Sequence, residues 1–133
     1  MCWILAIVAY DIYHNSYLWW NLLVVGGKGM KPKESEKTLE ARLVREIEAR
    51  GGMALKYTSQ FHRGIPDRIC LLPGGLSVFV ELKSTGKKPT KLQEHAMKRL
   101  DAMGHPTCVV DSTKKLEDLL QILDEGMRKS AKN

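Results

Sequence analysis

Cysteine is scarce. The 133 residues hold three, Cys2, Cys70 and Cys108, with no Cys-x-x-Cys pair and no histidine at metal-ligand spacing. That spacing argues against a zinc site or a disulfide framework and fits a reducing, cytosolic setting. Cys70 and Cys108 each lie in an apolar run, "ICLL" and "TCVV", where a small core residue is expected rather than a nucleophile. Long apolar runs are missing too. Those in residues 1–29 are broken by Asp11, His14 and Asn15 before reaching the ~18 residues a membrane span needs, and no basic segment precedes them as an export signal requires. Neither an anchor nor an export signal is expected, and no membrane partner. Acid is short relative to base, 15 Asp and Glu against 21 Lys and Arg, for a formal net charge of +6. Only Asp11 and Lys28 are charged before Met30, so the whole excess lies from Met30 onward. A basic domain favours a polyanionic partner, nucleic acid first, although a solvated surface accounts for a modest surplus as readily.

The length suits one domain with a single core. "VVGGKGMKPKESEK" supplies a Gly-rich break, a second methionine and a polar lead-in, which reads as a normal protein start at Met30. Residues 1–29 are then an extension: a misread start, a cloning artefact, or an interfacial segment anchored by Trp3, Trp19 and Trp20. The domain itself is expected over 30–127, with a basic tail over 128–133.

Leu39, Leu43, Val44 and Ile47 give Glu34 to Arg50 helical periodicity, and Gly51-Gly52 stops it. "MALKYT", "DRICLL" and "LSVFVELK" read as three short strands, the last two joined by the turn "PGG". "TKLQEHAMKRLDAM" opens with a Thr-x-x-Gln capping box and ends at Gly104, a second helix. "PTCVVD" makes a fourth strand and "TKKLEDLLQILDEGM" a last amphipathic helix. The order α-β-β-β-α-β-α, with the second helix as a crossover, predicts an α/β fold: a mixed four-stranded sheet flanked by helices.

Charges interrupt this pattern where a core would not want them. On the third strand Phe79, Glu81 and Lys83 share one side and Val78, Val80 and Leu82 the other. A hairpin across "PGG" brings Asp67 beside Glu81 and Lys83, so two carboxylates and an ammonium converge. On a wheel of the first helix with Leu39 at zero, Leu43 falls at about 40°, Ile47 at about 80°, Glu36 at about 60° and Glu40 at about 100°. Both acids are therefore expected on the inward face, while Arg42 and Arg45 point away. For Glu36 the alternative is that it overhangs the core at the helix N-terminus, where its charge suits the dipole. Acids directed to one place form a hard-oxygen site suited to Mg²⁺ or Mn²⁺.

These residues resemble the PD-(D/E)xK nuclease superfamily, with its restriction-endonuclease-like core, and within it the stand-alone VRR-NUC nucleases of viruses and bacteria. The stretches "SEKTLEARLVREIEARGG", "GIPDRICLLPGG", "VFVELKSTGKKPTKLQ" and "VVDS" stand in family order and cover most of Met30 to Asp118. The resemblance implies Asp67, Glu81 and the Leu82 carbonyl as metal ligands, Glu36 or Glu40 as the helix acid, Lys83 as the motif lysine and Gln93 as the helix glutamine. Gln93 reads equally well as the reciprocal cap of its helix. Lys56, His62, Arg63, Arg68, Lys87 and Lys88, on or beside the surrounding loops, are candidate phosphate contacts, each balanced by the reading of a solvated charge. The implied protein is a Mg²⁺- or Mn²⁺-dependent deoxyribonuclease of a bacterial cytoplasm, encoded by the bacterium or by a phage. It would act as a homodimer on branched DNA such as Holliday junctions, with Ile122 of the last helix or the N-terminal extension as candidate pairing surfaces. The rival readings are a non-catalytic DNA-binding module of the same fold and, more distantly, a membrane-surface protein driven by the Trp-rich extension. Loss of Asp67, Glu81 or Lys83 would mark the binding module, and none is lost.

Overall fold

A computed structural model describes residues 33–132; the readings made for residues 1–29 and their tryptophans lie outside it. Helix α1 (Glu36–Ala49) starts at Ser35, whose hydroxyl accepts the Thr38 N–H at 3.1 Å. That satisfies one of the free donors of the first turn. Strand β1 (Met53–Lys56) follows, then β2 (Arg68–Leu72), a single turn at Pro73–Gly75, and β3 (Leu76–Leu82). Helix α2 (Lys91–Ala102), β4 (Thr107–Val110) and α3 (Thr113–Ala131) complete the expected order. The sheet runs β1-β2-β3-β4. Its first two pairings are antiparallel and β3 with β4 is parallel, which α2 makes feasible as the connecting helix.

Strand alternation divides the sheet into two unlike faces. Cys70, Leu72, Val78, Val80, Leu82 and Val110 pack in one cluster with Leu39, Leu43 and Ile47 of α1 and Leu116, Leu119, Leu120 and Leu123 of α3. Burial holds the Cys70 thiol at a pKa raised to about 11, which suits its expected place in the core. On the opposite face lie Phe79 and Glu81, and Ala96, Met97 and Leu100 of α2 are buried outside that cluster. Phe79 meets the His105 ring edge-on at 6.1 Å.

Helix α3 runs on to Ala131, so residues 128–131, read from sequence as a tail, form its last turn. Arg128 and Lys129 stand where cations complement the helix dipole. Among the described residues no helix is long and apolar enough to cross a membrane.

Candidate active site

Register places the acids. Arg68 pairs with Val80 across the hairpin, so Asp67, one residue earlier, falls opposite Glu81. Two bonds fix it there: its carbonyl accepts the Tyr57 N–H at 3.0 Å, and its Oδ2 accepts the Leu82 N–H at 3.1 Å. Glu81 has 0% of its surface exposed. Its Oε1 accepts from both Lys83 Nζ and Gln93 Nε2, while Oε2 is buried without a hydrogen-bond partner. Burial drives the Glu81 pKa up; the Lys83 hydrogen bond opposes that, the Asp67 charge adds to it, and the Lys83 charge and the Asp67 amide pull it back a little. A buried carboxylate oxygen left unpaired carries a desolvation cost of about 1–3 kcal/mol or more. Among the described residues that cost is tolerated at one place, beside a second carboxylate.

Gln93 unites the two roles that the sequence set against each other. Its Oε1 accepts the Thr90 N–H at 2.9 Å, while the Thr90 hydroxyl accepts the Gln93 N–H at 3.2 Å, closing the capping box. The other end of the same amide donates to Glu81. Helix α2 is thereby started and tied to the site by one side chain.

The first helix departs from expectation. Its buried stripe is Leu39, Leu43 and Ile47, centred on Leu43, and Glu36 is exposed in the opening turn. The wheel fixed its angle but not its position along the helix, where the first turn overhangs the sheet. Glu40 is half-buried at the stripe's edge, and its Oε1 accepts from Arg68 Nη2 at 2.9 Å and Nε at 3.1 Å. Arg68 pairs with Val80 on the α1 face and also donates to the Ala54 carbonyl at 2.9 Å. This charge, a candidate for phosphates or for solvent, is a clasp between α1 and the sheet. Arg42 also turns inward rather than away, to Thr113 and Glu117 of α3.

Sequence reasoning missed Glu34. Its backbone exchanges hydrogen bonds with Thr85, at 3.0 Å to the hydroxyl and 3.3 Å from the amide, and its carboxylate caps α3 at Thr113. The Thr113 hydroxyl and amide bonds hold its pKa below the usual carboxylate range. The Thr85 bonds pin the start of α1 beside the segment that leaves Lys83. With partners 51 and 79 residues away, no local spacing could have revealed this.

Two known proteins resemble this chain in sequence or fold. "Putative nuclease p44" of Acyrthosiphon pisum secondary endosymbiont phage 1 is 47% identical over 90 residues, 66% of this chain and 90% of that protein. A solved structure of a VRR_NUC domain superposes with a TM-score of 0.63 at 28% identity, covering 66% of this chain and 97% of that one. The chain belongs to the VRR-NUC family of nucleases. No family model matches the sequence.

The basic side chains of this VRR-NUC nuclease divide into two kinds. Lys56, His62, Arg63, Lys87 and Lys88 are exposed on the loops and strand end around Asp67 and Lys83, whereas Arg68 is committed to Glu40. A recess of ≈ 580 Å³ elsewhere, lined by Arg42, Glu46, Arg50, Glu117 and Asp124, lies between α1 and α3. These five are joined in ion pairs, with Arg50 on both Asp124 and Glu46, while Arg128 also lines the recess.

The donor set also bears on a metal. Among the described residues no three His, Cys, Asp or Glu side chains gather into a cage. Two carboxylates with a backbone carbonyl and water suit Mg²⁺ or Mn²⁺, which retain water ligands, better than zinc. Glu81 Oε2, buried and unpaired next to Asp67, is the kind of atom such an ion would satisfy. The residues present fit.

Proposed function

We propose that this VRR-NUC nuclease hydrolyses DNA phosphodiesters with a Mg²⁺ or Mn²⁺ ion held by Asp67, Glu81 and the Leu82 carbonyl. The observation that carries the reading is Glu81: Oε1 occupied by Lys83 and Gln93, Oε2 buried and free. When bound, the ion supplies Lewis-acid polarisation of the phosphate and a lowered pKa for water. The chain's own residues do the rest. Gln93 and Lys83 fix the Glu81 carboxylate in one rotamer, and the Leu82 amide does the same for Asp67. Lys83 is placed to hold the attacking water or to stabilise charge that develops on the phosphate. Glu36 is the helix acid that this reading keeps at the site, acting through water, because the start of α1 is tied to the strand leaving Lys83 while Glu40 is held by Arg68. Lys56, Arg63, Lys87 and Lys88 offer exposed cations for phosphates.

The preferred substrate in this reading is branched DNA, cut by a homodimer whose two-fold axis places two cuts symmetrically. Met53, Leu55 and Leu71, which the register sets on one sheet face, are exposed at 57%, 41% and 40% and offer a surface to cover. The phage relative is consistent with work inside a bacterial cell. Cleavage of linear, flap and four-way-junction DNA with Mg²⁺, Mn²⁺ or chelator tests the chemistry, and sedimentation tests the dimer. Cleavage undiminished by chelator would overturn the metal. An active monomer that cuts duplex as readily as junctions would overturn the dimer and the junction preference.

A further inference from the structure

Phe61 stands out among the described side chains. It is 90% exposed, in the loop between β1 and β2 that ends at Asp67. Lone apolar residues on a surface are ordinary. This one is held up from a built base. The Ser59 hydroxyl accepts the Phe61 N–H at 3.3 Å and the His62 N–H at 2.9 Å, and the loop is closed below by the Tyr57-to-Asp67 bond. Gly64 then presses the descending arm against the Leu92 carbonyl, at the first turn of α2, next to Gln93. So the loop that positions the catalytic aspartate also lifts an aromatic ring into solvent, with His62 and Arg63 following it and Lys56 at the foot of the strand.

An exposed aromatic among cations fits a nucleobase out of its helical stack, because every base has a π-face and the neighbouring charges hold its phosphates. We propose that Phe61 is a specificity residue of this nuclease, stacking on an unpaired base of the substrate beside the scissile phosphate. The proposal rests on the reading that the Asp67 site acts on DNA. A stacked base is expected to contribute about 5- to 150-fold in Kd, and only where a base is free to be stacked.

The test compares wild type, Phe61→Ala and Phe61→Trp in chelator. Two DNAs are used: a paired duplex, and the same duplex carrying a short single-stranded flap with 2-aminopurine at its junction. Phe61→Ala should weaken flap binding about 5- to 150-fold and abolish the 2-aminopurine quenching seen with wild type. Duplex binding should stay within about twofold, and Phe61→Trp should restore both flap signals. Arg63→Ala should instead weaken both DNAs alike and lower the salt dependence by about one ion. Equal losses on the two DNAs with Phe61→Ala, or quenching that survives it, would overturn the proposal. Cleavage with Mg²⁺, measured in parallel, separates the two readings. If wild type cuts nothing but Phe61-dependent flap selectivity persists, the cleavage reading fails and the stacking stands; cleavage without that selectivity removes the stacking alone.

Discussion

Replacing Gly64 with alanine should disturb the site through backbone alone. Gly64 has φ +83°, and a Cβ there would stand 2.7 Å from the Leu92 carbonyl oxygen and 2.9 Å from its carbon. Gly86 has the same φ, +83°, with nothing within 4 Å of its Cβ position, and so serves as the control. Both alanines bear the left-handed backbone penalty, roughly 1–2 kcal/mol, offset by about 0.4–1 kcal/mol from a less flexible unfolded chain. Gly64→Ala must in addition move a backbone group of helix α2, which cannot rotate aside as a side chain would. An overpacked contact of this kind costs typically about 1–3 kcal/mol. For a domain of about 100 residues each kcal/mol moves Tm by roughly 4–8 °C, so Gly64→Ala should melt about 4–24 °C below Gly86→Ala. Thermal denaturation followed by circular dichroism measures this directly. Cleavage per folded molecule should fall in the Gly64 variant as well, because the displaced arm leads into Asp67. Two variants melting within about 2 °C of each other would refute the packing between this loop and α2.

The remaining expectations concern chemistry and pH. Asp67→Ala and Lys83→Ala should each lower cleavage by at least ~10²-fold while DNA binding, assigned to exposed cations in the proposed reading, stays near wild type; filter binding and a nicking assay check the pair. Thr90→Ala should cost about 1 kcal/mol of stability as a lost cap with cleavage largely kept, whereas Gln93→Ala should lose the cap and the cleavage together. Mg²⁺ or Mn²⁺ should raise the Tm of wild type but not of Glu81→Gln, read by thermal shift without any substrate. Stability should decline as pH falls below the ordinary carboxylate range, because Asp124, lowered chiefly by its Arg50 hydrogen bond, and Glu34, lowered by Thr113, keep their stabilising charge until pH drops through their depressed folded values. Asp124→Asn should flatten that acid limb in a series of melts from about pH 5 to pH 2.

How much of this was legible in the sequence depended on the range of the interaction. The Leu39, Leu43 and Ile47 spacing, the alternation in β3 and the Thr90-x-x-Gln93 box are local, and each stands as read. Asp67 beside Glu81 was also legible, since the short "PGG" turn leaves the hairpin little freedom of register. What could not be read was competition among distant charges. Glu40 had an inward angle, but whether it would meet a metal or a cation depended on Arg68, 28 residues on, which the sequence offered to DNA. Glu36 showed that an angle on a wheel is not a depth. Gln93 showed that a capping side chain can still contact Glu81, since an amide has one end for the cap and another for the carboxylate.

That double use of Gln93 sets an order in which the protein should fail. The first turn of a helix is where fraying begins, and fraying is a local equilibrium that needs far less free energy than unfolding the sheet. Here the cap that resists fraying and one of the two clamps on Glu81 are one residue, so each opening of the α2 terminus leaves the carboxylate to Lys83 alone. Warming or mild urea should therefore silence the nuclease while its circular dichroism still reads as native. Amide exchange at Gln93 and Glu94 would follow the loss of activity, and exchange in the buried strands would lag behind it.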